Sequence, residues 1–289
     1  MLDVVFYGVR GSTPCCCERT RGFGGNTSCV LVEIPDHDPI LLDCGTGLRY
    51  LGQELASNPR RGGAPFRGTA LVTHLHWDHV QGLPFFVPLL REGAALTLVG
   101  PEQEGASLAD ELRSFIRPPL FPVTLDDLPG EVTIREQSTG SFQLGSATVT
   151  IGMVPHSGNT NGYRIDVGDA SVAYIPDHQQ PELDSTAVAD SVLELCAGVD
   201  LLIHDAQYDD DEFGMKSDWG HSTARYALEV ARQAGAKRLV LFHHDPSHDD
   251  EWIDESRSRT NEQGARSPGG AIEVLAASEG MRLRSGGPV

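Results

Sequence analysis

The stretch Leu71 to Gly82, LVTHLHWDHVQG, sets three histidines and an aspartate within six positions, directly behind a short apolar run. In an extended segment alternate side chains share a face. His74, His76 and Asp78 can then point together while Leu75 and Trp77 turn into the core, and His79 can diverge toward a second cation. Imidazole plus carboxylate without thiolate suits zinc, manganese or iron better than calcium. The competing reading is a merely polar or pH-sensitive loop, but H-x-H-x-D-H is far more specific than a lone pair of histidines. Four ligands in one loop cannot enclose a metal pair, so the fold has to bring others from distant parts of the chain.

The rest of the sequence offers them. Histidines and acids recur immediately after apolar strand-like runs, at His74, His156, Asp177, His204–Asp205 and His243. Catalytic groups in open α/β sheets gather beyond the carboxyl ends of strands. In the first half VVFYG, SCVLVEI, ILLDCG, GTALVTH and LTLVGP read as strands. Leu48, Leu51 and Leu55 mark a helix stopped by Asn58-Pro59, and SLADELRSFI reads as an amphipathic helix with a Ser cap. The second half repeats the pattern: strands ATVTIGMVPH and ASVAYIPDH, a helix over about 185–197, the strand DLLIHD, the helix HSTARYALEVARQAGA and the strand KRLVLFHH. No low-complexity linker separates the halves. The expected organisation is one α/β domain over residues 1–289, built of two similar halves with sheets inside and helices outside.

Charge narrows the partners. With 22 basic against 41 acidic residues the formal charge is −19, which repels a polyphosphate backbone unless a local basic patch compensates. The densest basic clusters, Arg19–Arg21 and Arg60–Arg61, are too short for that, so a nucleic-acid partner is disfavoured. The acidic runs YDDDE and HDDEWIDE read as solvated faces. The opening MLDVVFYG lacks the features of a secretory signal, and no apolar run approaches a membrane span of roughly 20 residues. Three of the six cysteines are consecutive, Cys15, Cys16 and Cys17, which fits neither a disulfide framework nor zinc-finger spacing. A reduced cytoplasmic protein is the expectation, and the sequon at Asn26 then carries no meaning.

THLHWDH with Gly82, His156, Asp177 after VAYIP, GHST and the strand-terminal His243 together resemble the metallo-β-lactamase fold, an αββα sandwich. Within it they resemble the phosphodiesterase branch around tRNase Z and its cyclic-phosphodiesterase relatives, from Gly8 to about Leu283. Carried over residue by residue, the resemblance implies one divalent metal ion on His74, His76 and His156 and a second on Asp78, His79 and His243. Asp177 would bridge them; zinc is the expected metal, manganese or iron the alternatives. His243 is preferred to His244 because it is the first residue past its strand and side chains alternate. His178 and His37 read as polar loop residues.

His221 opens a helix with Ser222 or Thr223 as cap, and helix N-termini attract phosphate oxygens. In the similar phosphodiesterases the histidine of HST contacts phosphate or protonates the leaving group, so His221 is the candidate general acid, with Asp205 as its orienting carboxylate and Asp78 helping to orient the attacking hydroxide. Asn26 and Thr27, in a Gly-rich segment, are candidate substrate contacts. The expected function is a dinuclear phosphodiesterase acting on a small-molecule phosphodiester such as a cyclic nucleotide. The alternatives are a tRNA 3′-processing endonuclease or a lactone or thioester hydrolase. Glutamate replaces His76 in the di-iron redox members, and a thiolate replaces Asp177 in a common zinc β-lactamase type, so those activities lose ground. Similar enzymes are often homodimers; LPFFVPLL could serve an interface but reads better as core.

Overall fold

The computed structural model describes residues 1–57, 63–267 and 270–285. The Asn58-Pro59 stop and the Arg60–Arg61 cluster lie outside them. In the first half run β1 (Leu2–Gly8), β2 (Cys29–Glu33), β3 (Ile40–Leu42), α1 (Leu48–Ser57), β4 (Arg67–Leu71), the helical turn α2 (Trp77–Val80), β5 (Ala95–Gly100), α3 (Leu108–Phe115) and β6 (Glu131–Glu136). The second half holds β7 (Gly140–Leu144), β8 (Ala147–Met153), β9 (Asn161–Val167), β10 (Ala170–Ile175), α4 (Asp190–Cys196), β11 (Leu201–Asp205), α5 (Asp210–Lys216), α6 (Ala224–Ala234), β12 (Arg238–Phe242), α7 (Asp250–Ala265), β13 (Glu273–Ala276) and β14 (Arg282–Ser285).

These strands make two seven-stranded sheets, ordered β14-β1-β2-β3-β4-β5-β6 and β13-β12-β11-β10-β9-β8-β7. Each is antiparallel on one side and parallel on the other, through β3-β4-β5-β6 and β10-β11-β12-β13. Period-two alternation builds the layers. Val4 and Phe6 of β1 enter the core between the sheets, with Leu42, Ile165, Tyr174, Ile203 and Phe242. Val5 points outward, to a second core under α1 and α3 that takes Leu48, Leu51 and Leu55, as their spacing predicts. A third core lies under α4 and α6. β10, covered on both faces, is buried at every position. The result is the expected αββα sandwich.

Helix ends follow sequence chemistry. Ser107 caps α3, Thr223 caps α6, and Gly235 ends α6 in the left-handed region at φ 66°. Several expectations need correction. Asp209 and Asp249, read as members of solvated acidic faces, cap α5 and α7 by accepting N–H bonds from Glu212 and Trp252. α4 starts only at Asp190, leaving 185–189 irregular. LPFFVPLL forms two 3-10 turns that split it: Leu83, Phe86 and Leu89 are buried, whereas Phe85, Val87 and Leu90 are exposed.

Candidate metal centre

The carboxyl ends of β3, β4, β8, β10, β11 and β12 deliver their loops to one edge of the sandwich. The loop after β4 supplies His74, His76, Asp78 and His79; those after β8, β10 and β12 supply His156, Asp177 and His243. His74, His76, His156 and Asp177 bring one ligand atom each to within 4.8 Å of one another, and Asp78, His79 and His243 do the same. Asp177 joins the groups. Its Oδ1 lies 3.1 Å from His79 Nε2 and 3.4 Å from His243 Nε2, while Oδ2 lies 3.7 Å from His74 Nε2 and 3.6 Å from His156 Nε2.

The donor set fits cations on an independent ground. His74 Nε2, His79 Nε2 and Asp177 Oδ1 are buried with no hydrogen-bond partner, and a buried polar group left unpaired costs on the order of 1–3 kcal/mol. Two divalent ions, one in each group, would satisfy all three. Three of the imidazoles are also held from behind, which aims their other nitrogen forward. His79 Nδ1 donates to Asp43 Oδ2 at 2.8 Å, His243 Nδ1 to Gln207 Oε1 at 2.8 Å and His156 Nδ1 to the Gly220 carbonyl at 2.7 Å. Ser12 N–H donates to Asp78 Oδ2 at 2.7 Å.

The electrostatics match a site poised for positive charge. Burial pushes the His74, His76 and His156 imidazoles down, favouring the neutral form that a metal requires. Burial works the same way on His79 and His243, but the neighbouring Asp177 and Asp78 carboxylates outweigh it and raise both. Burial opposes ionisation of Asp78 and Asp177, yet the surrounding imidazoles hold both carboxyls well below the usual range. The backbone is bent to fit. Ser12, Asp43 and His243 are non-glycine residues at φ 59°, 59° and 62°, a conformation that is sparsely populated and recurs at functional sites. A Cβ on Gly11 would meet the His243 ring at 2.4 Å, and one on Gly220 the His156 ring at 2.5 Å.

His221 sits beside the pair, and its Nδ1 donates to Asp205 Oδ2 at 3.0 Å. Asp205 is fully buried and also accepts the N–H groups of His178 and Gln207, each at 3.0 Å. His221 Nδ1 is 3.8 Å from Asp177 Oδ2, and its ring stacks on His243 with centroids 4.9 Å apart. His221, Asp177 and His243 therefore form a third group of potential ligands.

Other placements differ from expectation. Leu75 packs against the core under α1 and α3, but Trp77 does not enter it: the chain turns into α2 at Trp77, which ends the alternation and leaves Trp77 71% exposed. Asn26 and Thr27, expected to face substrate, are engaged elsewhere. Asn26 donates through N and Nδ2 to Glu279 Oε1, and Thr27 is buried against Thr46. Ser12, from the neighbouring Gly-rich segment, lines the cleft instead. His244 turns away and Nε2 bonds the Ala277 carbonyl; His248 stacks on Trp252. His178 is buried with its Nδ1 3.0 Å from His204 Nε2. Asp43, Gln207 and Ser12 were not among the expected site residues. Asp43 follows the apolar run ILL as the others follow theirs, so the same strand-end logic reaches it; Gln207 and Ser12 carry no such signal.

Two seven-stranded sheets with helices outside, and a His/Asp cluster at the strand ends, define a hydrolase of the metallo-β-lactamase fold. The chain belongs to the β-lactamase superfamily domain family, whose profile matches residues 39–244. It is 27% identical to ribonuclease Z of Haloarcula marismortui over 329 aligned positions, which cover 98% of this chain and 96% of that one. Among solved structures it resembles the metallo-β-lactamase fold protein YhfI of Bacillus subtilis, with TM-score 0.70 and 19% identity, covering 99% of each chain. It also resembles the short form of human tRNase Z, with TM-score 0.64 and 24% identity, covering 98% of each. No helix among the described residues is long and apolar enough to cross a membrane.

Proposed function

We propose that this chain is a dinuclear metal-dependent phosphodiesterase that hydrolyses a small phosphodiester such as a cyclic nucleotide. His74, His76 and His156 would hold one ion and Asp78, His79 and His243 the other, with Asp177 available to both; zinc suits this imidazole and carboxylate set. The observation that carries the reading is the placement of one Asp177 oxygen toward each cluster, with the His221–Asp205 pair alongside. When bound, two such cations polarise a phosphoryl oxygen and bring the pKa of water toward neutrality.

The chain's own groups do the rest. Asp205 fixes the Nδ1 hydrogen of His221, so Nε2 is the nitrogen available to the cleft. As an oxygen from water forms its bond to phosphorus, a proton carried there passes to the departing oxygen, whose bond to phosphorus breaks, leaving a phosphomonoester and a hydroxyl group, both on one molecule when the diester is cyclic. Such general-acid help contributes about 10²- to 10⁴-fold. Ser12 and Gln207 keep Asp78 and His243 in register.

A small substrate is supported by the cleft, about 630 Å³, which falls within the range of small-molecule sites. Asp218 lies in its wall, and nearby Lys216 already pairs with Asp245 at 3.2 Å. That leaves little positive charge to grip an RNA backbone. A second reading, an RNA-processing nuclease, is favoured by the ribonuclease Z relative that matches nearly the whole chain. The test is turnover by metal-replete protein of cyclic nucleotides, a precursor tRNA and a lactone. Cyclic-nucleotide hydrolysis is expected, with His221→Ala losing about 10²- to 10⁴-fold while keeping two ions. Cleavage of the tRNA alone would establish the second reading; unchanged turnover in His221→Ala, or loss of an ion, would remove the general-acid role.

A further inference from the structure

Two tryptophans stand in the wall of this cleft with most of their surface in solvent, Trp77 at 71% and Trp219 at 62%. Single exposed hydrophobics such as Tyr50 and Phe85 occur elsewhere on the chain, but these two indoles share one cleft beside the candidate metal centre. Their positions are tied to the site. Trp77 follows His76 directly, and Trp219 precedes Gly220 and His221, so the indoles come from different halves of the sandwich and line the same cleft as His76, Asp177 and His221. α2 begins at Trp77, which turns its side chain out of the core. Gly220 accepts the His156 Nδ1 bond, which ties the Trp219 segment to the centre. Lys216 Nζ lies 4.7 Å from the Tyr208 ring centroid and 5.7 Å from that of Trp219, bracing the same wall.

We infer that Trp77 and Trp219 form a stacking platform for a planar heterocyclic ring, so that the phosphodiester cleaved here carries a nucleobase next to the scissile phosphate. This rests on the phosphodiesterase reading and adds the substrate class. Flat rings gain from indole faces whatever their edge pattern, so the platform selects for a base without choosing among bases. Asp218, the acid of the lining that lies outside the ligand set of Asp78 and Asp177, disfavours a second phosphate at the same place, which points to a monoanionic nucleoside diester rather than a polyphosphate.

Two measurements test it. The first is the ratio of kcat/KM for a nucleoside 2′,3′-cyclic phosphate to that for base-free ribose 2′,3′-cyclic phosphate. Trp77→Ala and Trp219→Ala each lower this ratio about tenfold, through KM for the nucleotide, and the Phe variants recover most of it. The second needs no turnover. The chain's third tryptophan, Trp252, stacks on His248 away from the cleft. In metal-replete W252F protein, adding adenosine 3′-monophosphate quenches the remaining fluorescence; in W77F/W219F protein it does not. A ratio unchanged in both Ala variants, or equal quenching in the two Phe backgrounds, overturns the platform. Failure of the wild type to cleave either cyclic phosphate would instead overturn the phosphodiesterase reading, and the fluorescence titration would still decide the platform.

Discussion

Asp43, which does not line the cleft, ties three parts of the centre together from behind. It is fully buried at φ 59°. Oδ1 accepts the Thr73 N–H at 2.7 Å, and Oδ2 accepts His79 Nδ1 at 2.8 Å and the Tyr174 hydroxyl at 2.9 Å. One carboxylate thus fixes the start of the HLHWDH loop, the tautomer of His79 and the neighbouring sheet. Removing such a support typically costs about 10- to 100-fold in metal affinity. Asp43→Ala is expected to weaken the ion on Asp78, His79 and His243 by that factor, leaving near one ion per chain under chelator competition where the wild type keeps two. Two ions held at wild-type affinity would show that Asp43 is only structural. At this scale the ligand types and strand-end positions were legible, because a metal centre needs specific atoms and strands deliver them at their ends. The partners behind the ligands were not: Gln207 and Ser12 act through an amide oxygen and a backbone N–H, which leave no residue-type signature.

Among the elements, α6 shows how two glycines with positive φ do different work. Gly235 ends the helix at φ 66° with nothing near its missing Cβ, so its role is conformational. Gly220, just before the helix, has φ 95° and lies where a Cβ would strike the His156 ring at 2.5 Å. Gly235→Ala is therefore expected to lower stability by about 1 kcal/mol without changing metal content. Gly220→Ala should displace His156 and lose the ion on His74, His76 and His156. Urea midpoints and metal analysis of the two variants separate the roles; equal metal loss, or none in either, would contradict the assignment. Strong periodicity made α1, α3 and α6 readable. α7 was hidden because it is acidic and polar around most of its circumference, burying Ile253 with Ser256, Thr260 and Gly264, so what looked like a solvated acidic run is a helix packed chiefly through small side chains. The HLHWDH loop misled in the opposite way: alternation predicted an extended segment, whereas the backbone becomes helical at Trp77 to swing Asp78 and His79 toward the second cluster.

For the molecule as a whole, the centre is a joint between its two sheets. His74, His76, Asp78 and His79 come from the sheet that contains β4; His156, Asp177 and His243 come from the sheet that contains β8, β10 and β12. Cations shared across that seam would bind the folded arrangement and not the separated segments, so they shift the folding equilibrium by mass action. At a free metal concentration about a thousand times the dissociation constant, the gain is about 4 kcal/mol for one site. Chelation is therefore expected to lower Tm by several degrees or more, with recovery on adding zinc, and Asp177→Ala should blunt the response because both clusters lose their common ligand. Hydrogen exchange locates the effect: metal removal should speed exchange in residues 72–80, 154–160 and 242–245, while the interior of α6, set in its own core, keeps its protection. A Tm indifferent to chelation and zinc would mean that the buried, unpartnered Nε2 atoms of His74 and His79 are satisfied by something other than a cation.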